Sequence, residues 1–395
     1  MKKKVFISDS FEKLRKYVAN EEYKGYDPYD TLCSPVPFRS FTSWGPVIAT
    51  QVQKRNPYNI RKLLRIEKGI NPKAMGLFLE AYVVLEESGI GEFTSQCDYF
   101  FQWLSENQST GYKGNSWGYN FPWATTEKYL PAFAPTVVAT AFVVRGLFAY
   151  HRLTNNPKAK ELILGAAEFV RKELARTKFD TGLAISYTPL FPDCCYNASL
   201  LGAEVLAYAN SIVADKEDEK IIRDAVSFVL AKQHADGHWN YSMDLKTGEE
   251  RSQIDFHQGY VLDSLLIISR LLKVNDAKWE AAMFNGLNYY KEKQFFPDGR
   301  SLWRIPKEYP VEIHNQSQGI LTFLNFSHLG DEYTKFSRTI ADWTIENMQD
   351  ESGYFYYRKL KFYTNKISYM RWSNAWMFLA LSRWMHRNAT FKNNN

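Results

Sequence analysis

Three short runs of this chain collect the side chains that acid–base chemistry needs. They are Ile254-Asp255-Phe256-His257-Gln258-Gly259-Tyr260, Glu312-Ile313-His314-Asn315-Gln316-Ser317-Gln318-Gly319 and Met370-Arg371-Trp372-Ser373-Asn374-Ala375-Trp376. Each leads at once into an apolar stretch, which puts its polar groups at the rim of a core. Asp255 with Gln258, His314 with Gln318, and Arg371 with Asn374 stand three or four residues apart, so each pair shares one face of a helix. An acid, two imidazoles, amides and a guanidinium at helix starts aimed at one mouth could surround a sugar. A carboxylate beside a histidine is the minimum for proton transfer at a glycosidic oxygen or a C5 carbon. The expected roles are Asp255 as general acid/base, His257 and His314 in proton transfer or hydroxyl binding, and Arg371 orienting an acidic group. Each residue also has a plainer use: Asp255 as a helix N-cap, the histidines as packed core residues, Arg371 as the partner of a structural carboxylate.

A second set comes from loops. Trp117, Tyr119, Asn120 and Trp123 could form one wall of a cleft and Tyr187 with Asn197 another, while Arg61 and Lys128 could supply charge for a uronate. Asn197 doubles as a cap candidate.

The elements that must position these residues announce themselves by repetition. Gln, a polar turn with Gly, and an aromatic pair recur at Gln108…Gly114-Asn115-Ser116-Trp117-Gly118-Tyr119, Gln233…Gly237-His238-Trp239-Asn240-Tyr241, Gln294…Gly299…Trp303 and Gln349…Gly353-Tyr354-Phe355-Tyr356, with a degenerate copy at Asp180-Thr181-Gly182…Tyr187. The spacing suits a helical hairpin plus its return loop. Between the loops, helices nearly apolar all round, such as 134–144 and 198–207, alternate with amphipathic ones. Inner and outer helices in alternation predict an all-α fold, an (α/α)6 toroid. The sixth pair closes if the last helix, about 369–387, meets an element near 10–20. Residues 1–71 are expected as an N-terminal arm packed on the toroid and 72–395 as the toroid itself, with no linker between further domains.

Composition excludes several classes. The net charge is only 49 − 43 = +6 over 395 residues, with no basic tract beyond Lys2-Lys3-Lys4, so nucleic acid is not indicated. No secretory leader or membrane span is read, and Cys33, Cys97, Cys194 and Cys195 fit neither a disulfide framework nor a zinc site, which points to a cytoplasmic protein. There is no Walker loop, dinucleotide fingerprint, nucleophile elbow or aspartate-rich diphosphate motif, so no cofactor and no metal is expected.

Several phrases carry a resemblance: Tyr23-Lys-Gly-Tyr-Asp-Pro-Tyr-Asp30, Trp117-Gly-Tyr-Asn-Phe-Pro-Trp123, Ser186-Tyr-Thr-Pro189, Tyr196-Asn-Ala-Ser-Leu-Leu-Gly-Ala203 and Tyr369-Met-Arg-Trp-Ser-Asn-Ala-Trp-Met377. Together they resemble a bacterial family associated with surface-polysaccharide gene clusters, over nearly the whole chain. Some of its members carry the name δ-aminolevulinic acid dehydratase. That enzyme is a TIM barrel, which needs strands alternating with helices, and this chain alternates helix with helix. More distantly the pattern resembles six-hairpin glycosidases, unsaturated-glucuronyl hydrolases, glucuronyl C5-epimerases and terpenoid-cyclase toroids. The resemblance implies a carbohydrate-active protein working on a surface polysaccharide or its precursor by hydrolysis, elimination or epimerisation, with partners in a biosynthetic complex. The competing expectations are a non-catalytic glycan-binding scaffold and an isoprenoid-handling toroid. The latter needs an acid-free apolar cavity, against which the polar helix starts argue.

Overall fold

The computed structural model describes residues 6–126 and 128–393, so the Lys2–Lys4 run lies outside the described residues. Fourteen helices run α1 (Ile7–Asn20), α2 (Phe38–Phe41), α3 (Gly45–Arg55), α4 (Pro72–Glu87), α5 (Thr94–Glu106), α6 (Val137–Thr154), α7 (Pro157–Glu173), α8 (Tyr196–Ile212), α9 (Lys216–Leu230), α10 (His257–Leu271), α11 (Ala277–Gln294), α12 (Ile313–Asn325), α13 (Asp331–Met348) and α14 (Trp376–Asn393). Helices α4, α6, α8, α10, α12 and α14 touch in that circular order, α14 returning to α4. These six form the inner wall of an (α/α)6 toroid. Their outer partners are α5, α7, α9, α11, α13 and, for α14, the N-terminal α1.

Local chemistry starts the helices where it should. Asn156, Asp215 and Asp276 cap the outer helices α7, α9 and α11 by accepting hydrogen bonds from first-turn amides, and Asn71 and Thr136 do the same for α4 and α6. Pro72 and Pro157 occupy first-turn positions, where a missing N–H costs nothing.

The repeated loops have a common structural meaning. In each, the backbone N–H after the turn donates to a polar side chain at or near the start of the next inner helix: Trp117 to Thr140 (3.1 Å), Ile185 to Ser199 (3.0 Å), Trp239 to Gln258 (3.1 Å), Ser301 to Gln316 (2.8 Å) and Phe355 to Asn374 (2.9 Å). A buried amide at a chain reversal needs such an acceptor, so the repeat is first a device for bolting loops to the ring.

The last loop also closes the ring. Gln349 exchanges hydrogen bonds with Ser10 of α1, and Gly353 sits at φ +111° with its Cα facing α1 so closely that a Cβ would stand 2.3 Å from the Lys13 carbonyl oxygen. Gly353→Ala is therefore expected to destabilise the fold by about 1–3 kcal/mol, the range for a strained backbone position. Hydrogen exchange should show the loss concentrated in α1. Uniform loss, or none, would mean the ring does not depend on this seam.

Helix α1 (Ile7–Asn20) pairs with α14, and the arm is the stretch 21–71 that follows it. The arm holds α2, α3 and a 3-10 turn at Asp30–Cys33. It crosses the mouth where the inner helices begin, pairing Gly25 with Gly69 and Tyr26 with Tyr369. Short antiparallel hairpins fringe the same end, including Tyr356–Lys359 with Thr364–Ser368. All four cysteines are free thiols.

Candidate functional site

The helix starts converge on an aromatic chamber at the mouth. The Phe256 ring lies between the two imidazoles, 4.1 Å from His257 and 4.2 Å from His314. Trp372 and Trp376 close on His314 at 4.6 and 4.7 Å, and Tyr241 meets His257 at 4.6 Å. Asp255 and His257 come from the turn into α10, His314 from the first turn of α12, and Trp372 from a π-turn, Met370–Ala375, that leads into α14.

Asp255 is buried and bonded on both oxygens. Oδ1 accepts from His257 Nδ1 at 2.5 Å and from the His257 amide, while Oδ2 accepts from Gln253 and lies 3.3 Å from Arg304 Nε. Burial pushes its pKa up, but the charge and hydrogen bonds of His257 and the charge of Arg304 outweigh burial and hold it below the ordinary carboxylate value. A carboxylate in that state orients its histidine by accepting the Nδ1 proton in a hydrogen bond, which leaves Nε2 to carry the lone pair whenever the ring is neutral. His257 and Arg304 keep 18% and 37% side-chain exposure, which marks the open edge of the chamber.

His314 is its closed counterpart. Nε2 meets the Tyr260 hydroxyl at 2.6 Å, and Nδ1 is buried without a hydrogen-bond partner. Burial, then the nearby Lys73 and Arg371 charges, push its pKa well below the usual value, so the ring stays neutral. The chain continues from Tyr260 to Lys73 Nζ at 3.4 Å. Lys73, on the first turn of α4, is enclosed, its Nζ 4.1 Å from the centre of the Phe142 ring and 5.1 Å from that of Trp376. Burial foremost, then Arg371 and Arg145, drive its pKa well below 10.5. Lys73 was not singled out in the sequence, although a lysine directly after Pro72 in an otherwise apolar helix start is a readable signal. Tyr260, one helical turn beyond His257, was equally legible.

Lys73→Met should raise stability by roughly 1–3 kcal/mol, the scale of a buried polar group without full compensation. The sign of the pH dependence follows: the unfolded chain protonates Lys73 below about 10.5 while the folded one resists, so the wild type loses stability as pH falls through that range. Denaturation at pH 7 and pH 10 should show the variant's advantage shrinking at the higher pH. A constant advantage would mean that the lysine is charged in the fold.

The other candidates fall into three places. Tyr119 and Tyr187 share a hydroxyl contact of 3.2 Å, and Asn197 accepts from Cys195 at 3.0 Å. Arg371, by contrast, is only 4% exposed and is held bidentately by Asp27 of the arm at 2.7 and 2.8 Å, while stacking over Tyr119. Its guanidinium is committed to anchoring the arm rather than free to orient a ligand. Arg61 is likewise bound to Asp30, and Asn120 accepts from Asn71. Trp117 is fully buried, its indole N–H on the Leu104 carbonyl, and Gln258 and Asn374 are the loop acceptors described above. Gln318 lies deeper, donating to Asp263, whose carboxyl is pushed up to about 6 chiefly by burial.

Glu312, not singled out in the sequence, takes Arg358 on one oxygen and the Trp372 indole on the other. Clefts of about 390 and 380 Å³ flank the arm. Neither is lined by Asp255, His257 or His314; Tyr29 of the arm packs edge-on against Trp372 at 5.4 Å.

No family model matches the chain, and no curated protein sequence is similar to it. Solved structures match its fold. A protein of Salmonella enterica described as a possible member of the GH105 family has a TM-score of 0.66 at 12% identity, covering 98% of this chain and 96% of that one. The cellobiose 2-epimerase of Spirochaeta thermophila has a TM-score of 0.63 at 12% identity, over 82% and 87%. A GH76 α-mannanase of Bacteroides thetaiotaomicron has a TM-score of 0.61 at 15% identity, over 82% and 86%. The chain thus has the six-hairpin toroid fold that these carbohydrate-active proteins share.

Proposed function

We propose that this protein is a carbohydrate-active enzyme that moves a proton at a ring carbon of a sugar, by epimerisation or elimination, in a bacterial surface polysaccharide or its precursor. The observation that carries this reading is the pairing of two imidazoles across Phe256, while the carboxylates around them are already engaged. Asp255 is engaged by His257, Gln253 and Arg304, Glu312 by Arg358 and Trp372, and Asp27 by Arg371. Glycoside hydrolysis by the usual route needs one protonated and one free carboxylate about 5–10 Å apart, and an ionised, saturated Asp255 serves neither role. Its fitting role is to hold His257, whose Nε2 is the base. The Tyr260–His314 pair supplies the second proton site, and Arg304, half open beside Asp255, is the cation placed to orient an acidic group. The similar folds, which include a sugar epimerase and an α-mannanase, support a sugar substrate.

The test is incubation with neutral and uronate-containing oligosaccharides in D2O, followed by proton NMR. Loss of a ring C–H signal is the expected result, without a new chain end for epimerisation and with a vinyl proton of an unsaturated sugar at the cleaved end for elimination. Cleavage with every ring C–H retained would return the assignment to hydrolysis, and sugar binding with neither change would make the toroid a glycan-binding scaffold.

A further inference from the structure

The arm carries a surface that the ring does not use. From Thr31 to Ile66 it carries Arg39, Lys54, Arg55, Lys62 and Arg65, besides Arg61 buried on Asp30, and no aspartate or glutamate. Within this stretch α3 exposes Trp44, Ile48 and Val52 at 57%, 55% and 62%. Their spacing of four residues makes one continuous apolar stripe. The inward side of α3 is already satisfied: Gln53 donates to Asp30, and Lys54 bonds the Tyr29 hydroxyl. Tyr58 and Leu63 continue the exposed apolar surface beyond the helix.

A second element adds to it. The turn between strands Tyr356–Lys359 and Thr364–Ser368 exposes Phe362 at 89% and also Tyr363, between the exposed Lys361 and Lys366. Asn365 donates to the Asn56 carbonyl at 3.2 Å, which ties this hairpin to the end of α3. Two segments roughly 300 residues apart in sequence thus bring aromatic and aliphatic side chains, ringed by cations, onto adjoining surface. Single exposed apolar residues are ordinary on any protein; an apolar stripe on a segment without a carboxylate, joined to a second aromatic cluster, is not.

We infer that this face docks the protein peripherally on an anionic lipid surface. Trp44, Ile48, Val52 and Phe362 would seat at the boundary between headgroups and acyl chains, with Arg55, Lys62, Arg65, Lys361 and Lys366 meeting anionic headgroups. Among the described residues no helix is long and apolar enough to cross a membrane, so attachment is interfacial. Charge selects this occupant: a second copy would bring the same cations against each other, and nucleic acid has no use for the aliphatic stripe. The inference stands independently of the reaction proposed above.

The experiment is co-sedimentation of the full chain with vesicles of phosphatidylcholine alone or containing phosphatidylglycerol, at low and high salt. Binding to the anionic vesicles only, weakened by salt, is expected. Combined Trp44→Ser, Ile48→Ser and Val52→Ser should reduce it at least about tenfold, and Lys361→Glu with Lys366→Glu should weaken it separately. Circular dichroism should show both variants folded, since all five side chains are exposed. No binding to anionic vesicles, or binding indifferent to both variants, would overturn the inference. So would a dimer in light scattering that the triple variant dissolves, which would assign the face to a second copy.

Discussion

His257→Asn should lower deuterium exchange into the sugar about 10²–10⁴-fold, the usual worth of a positioned general base, while leaving the circular dichroism and melting behaviour close to wild type. The asymmetry has a structural cause. His257 sits on the open edge of the chamber and its main fixed partner is Asp255, so removing the ring leaves a carboxylate that Gln253, Arg304 and a backbone amide still satisfy. Asp255→Asn tests the other half of the pair. An amide there can offer N–H where Asp255 offers only acceptors, which favours the wrong imidazole tautomer. Activity should fall while the folded state survives. Since the ionised Asp255 has a depressed pKa, the stability it contributes is present above the ordinary carboxylate value and lost as pH falls through its folded-state value. Full activity in His257→Asn would remove the imidazole from the chemistry. Unfolding of Asp255→Asn would make the aspartate a structural cap.

Arg371→Met should destabilise the closed form by about 3–5 kcal/mol, because it leaves the Asp27 carboxylate buried opposite an apolar side chain. Both members of the pair are within 6% of complete burial, and the two hydrogen bonds between them hold the arm to the start of α14. The effect should be local. Limited proteolysis is expected to cut first within 21–71, with the inner helices protected until global unfolding. Adding Asp27→Leu to Arg371→Met should recover much of the loss, since removing both charges leaves no unpaired ion. Equal proteolysis of wild type and Arg371→Met would show that the arm is held by its backbone pairing alone. If arm closure also shields the chamber, the single variant should change the KM of the exchange reaction as well as its stability.

The ring is legible from local patterns. Alternating apolar and amphipathic helices, caps at Asn156, Asp215 and Asp276, and Gln–Gly–aromatic loops are local signals, readable because each is set by periodicity and hydrogen bonding within a few residues. The sequence also placed His257 and His314 at neighbouring helix starts and set the closing pairing of the last helix with residues near 10–20. Which polar side chains are already committed depends instead on contacts made in the folded ring. Gln258 and Asn374 look like substrate contacts in sequence and serve as loop acceptors in the fold; Trp117 looks like a cleft wall and is buried in the core. Arg371 meets Asp27 across 344 residues, and Lys73 reaches Tyr260 across 187. No local pattern encodes such partners, because burial and ion pairing depend on which surfaces the closed ring brings together. The chemistry of a helix start is legible in one dimension, but whether that chemistry is free to act is settled only by the side chains that arrive from elsewhere to satisfy it.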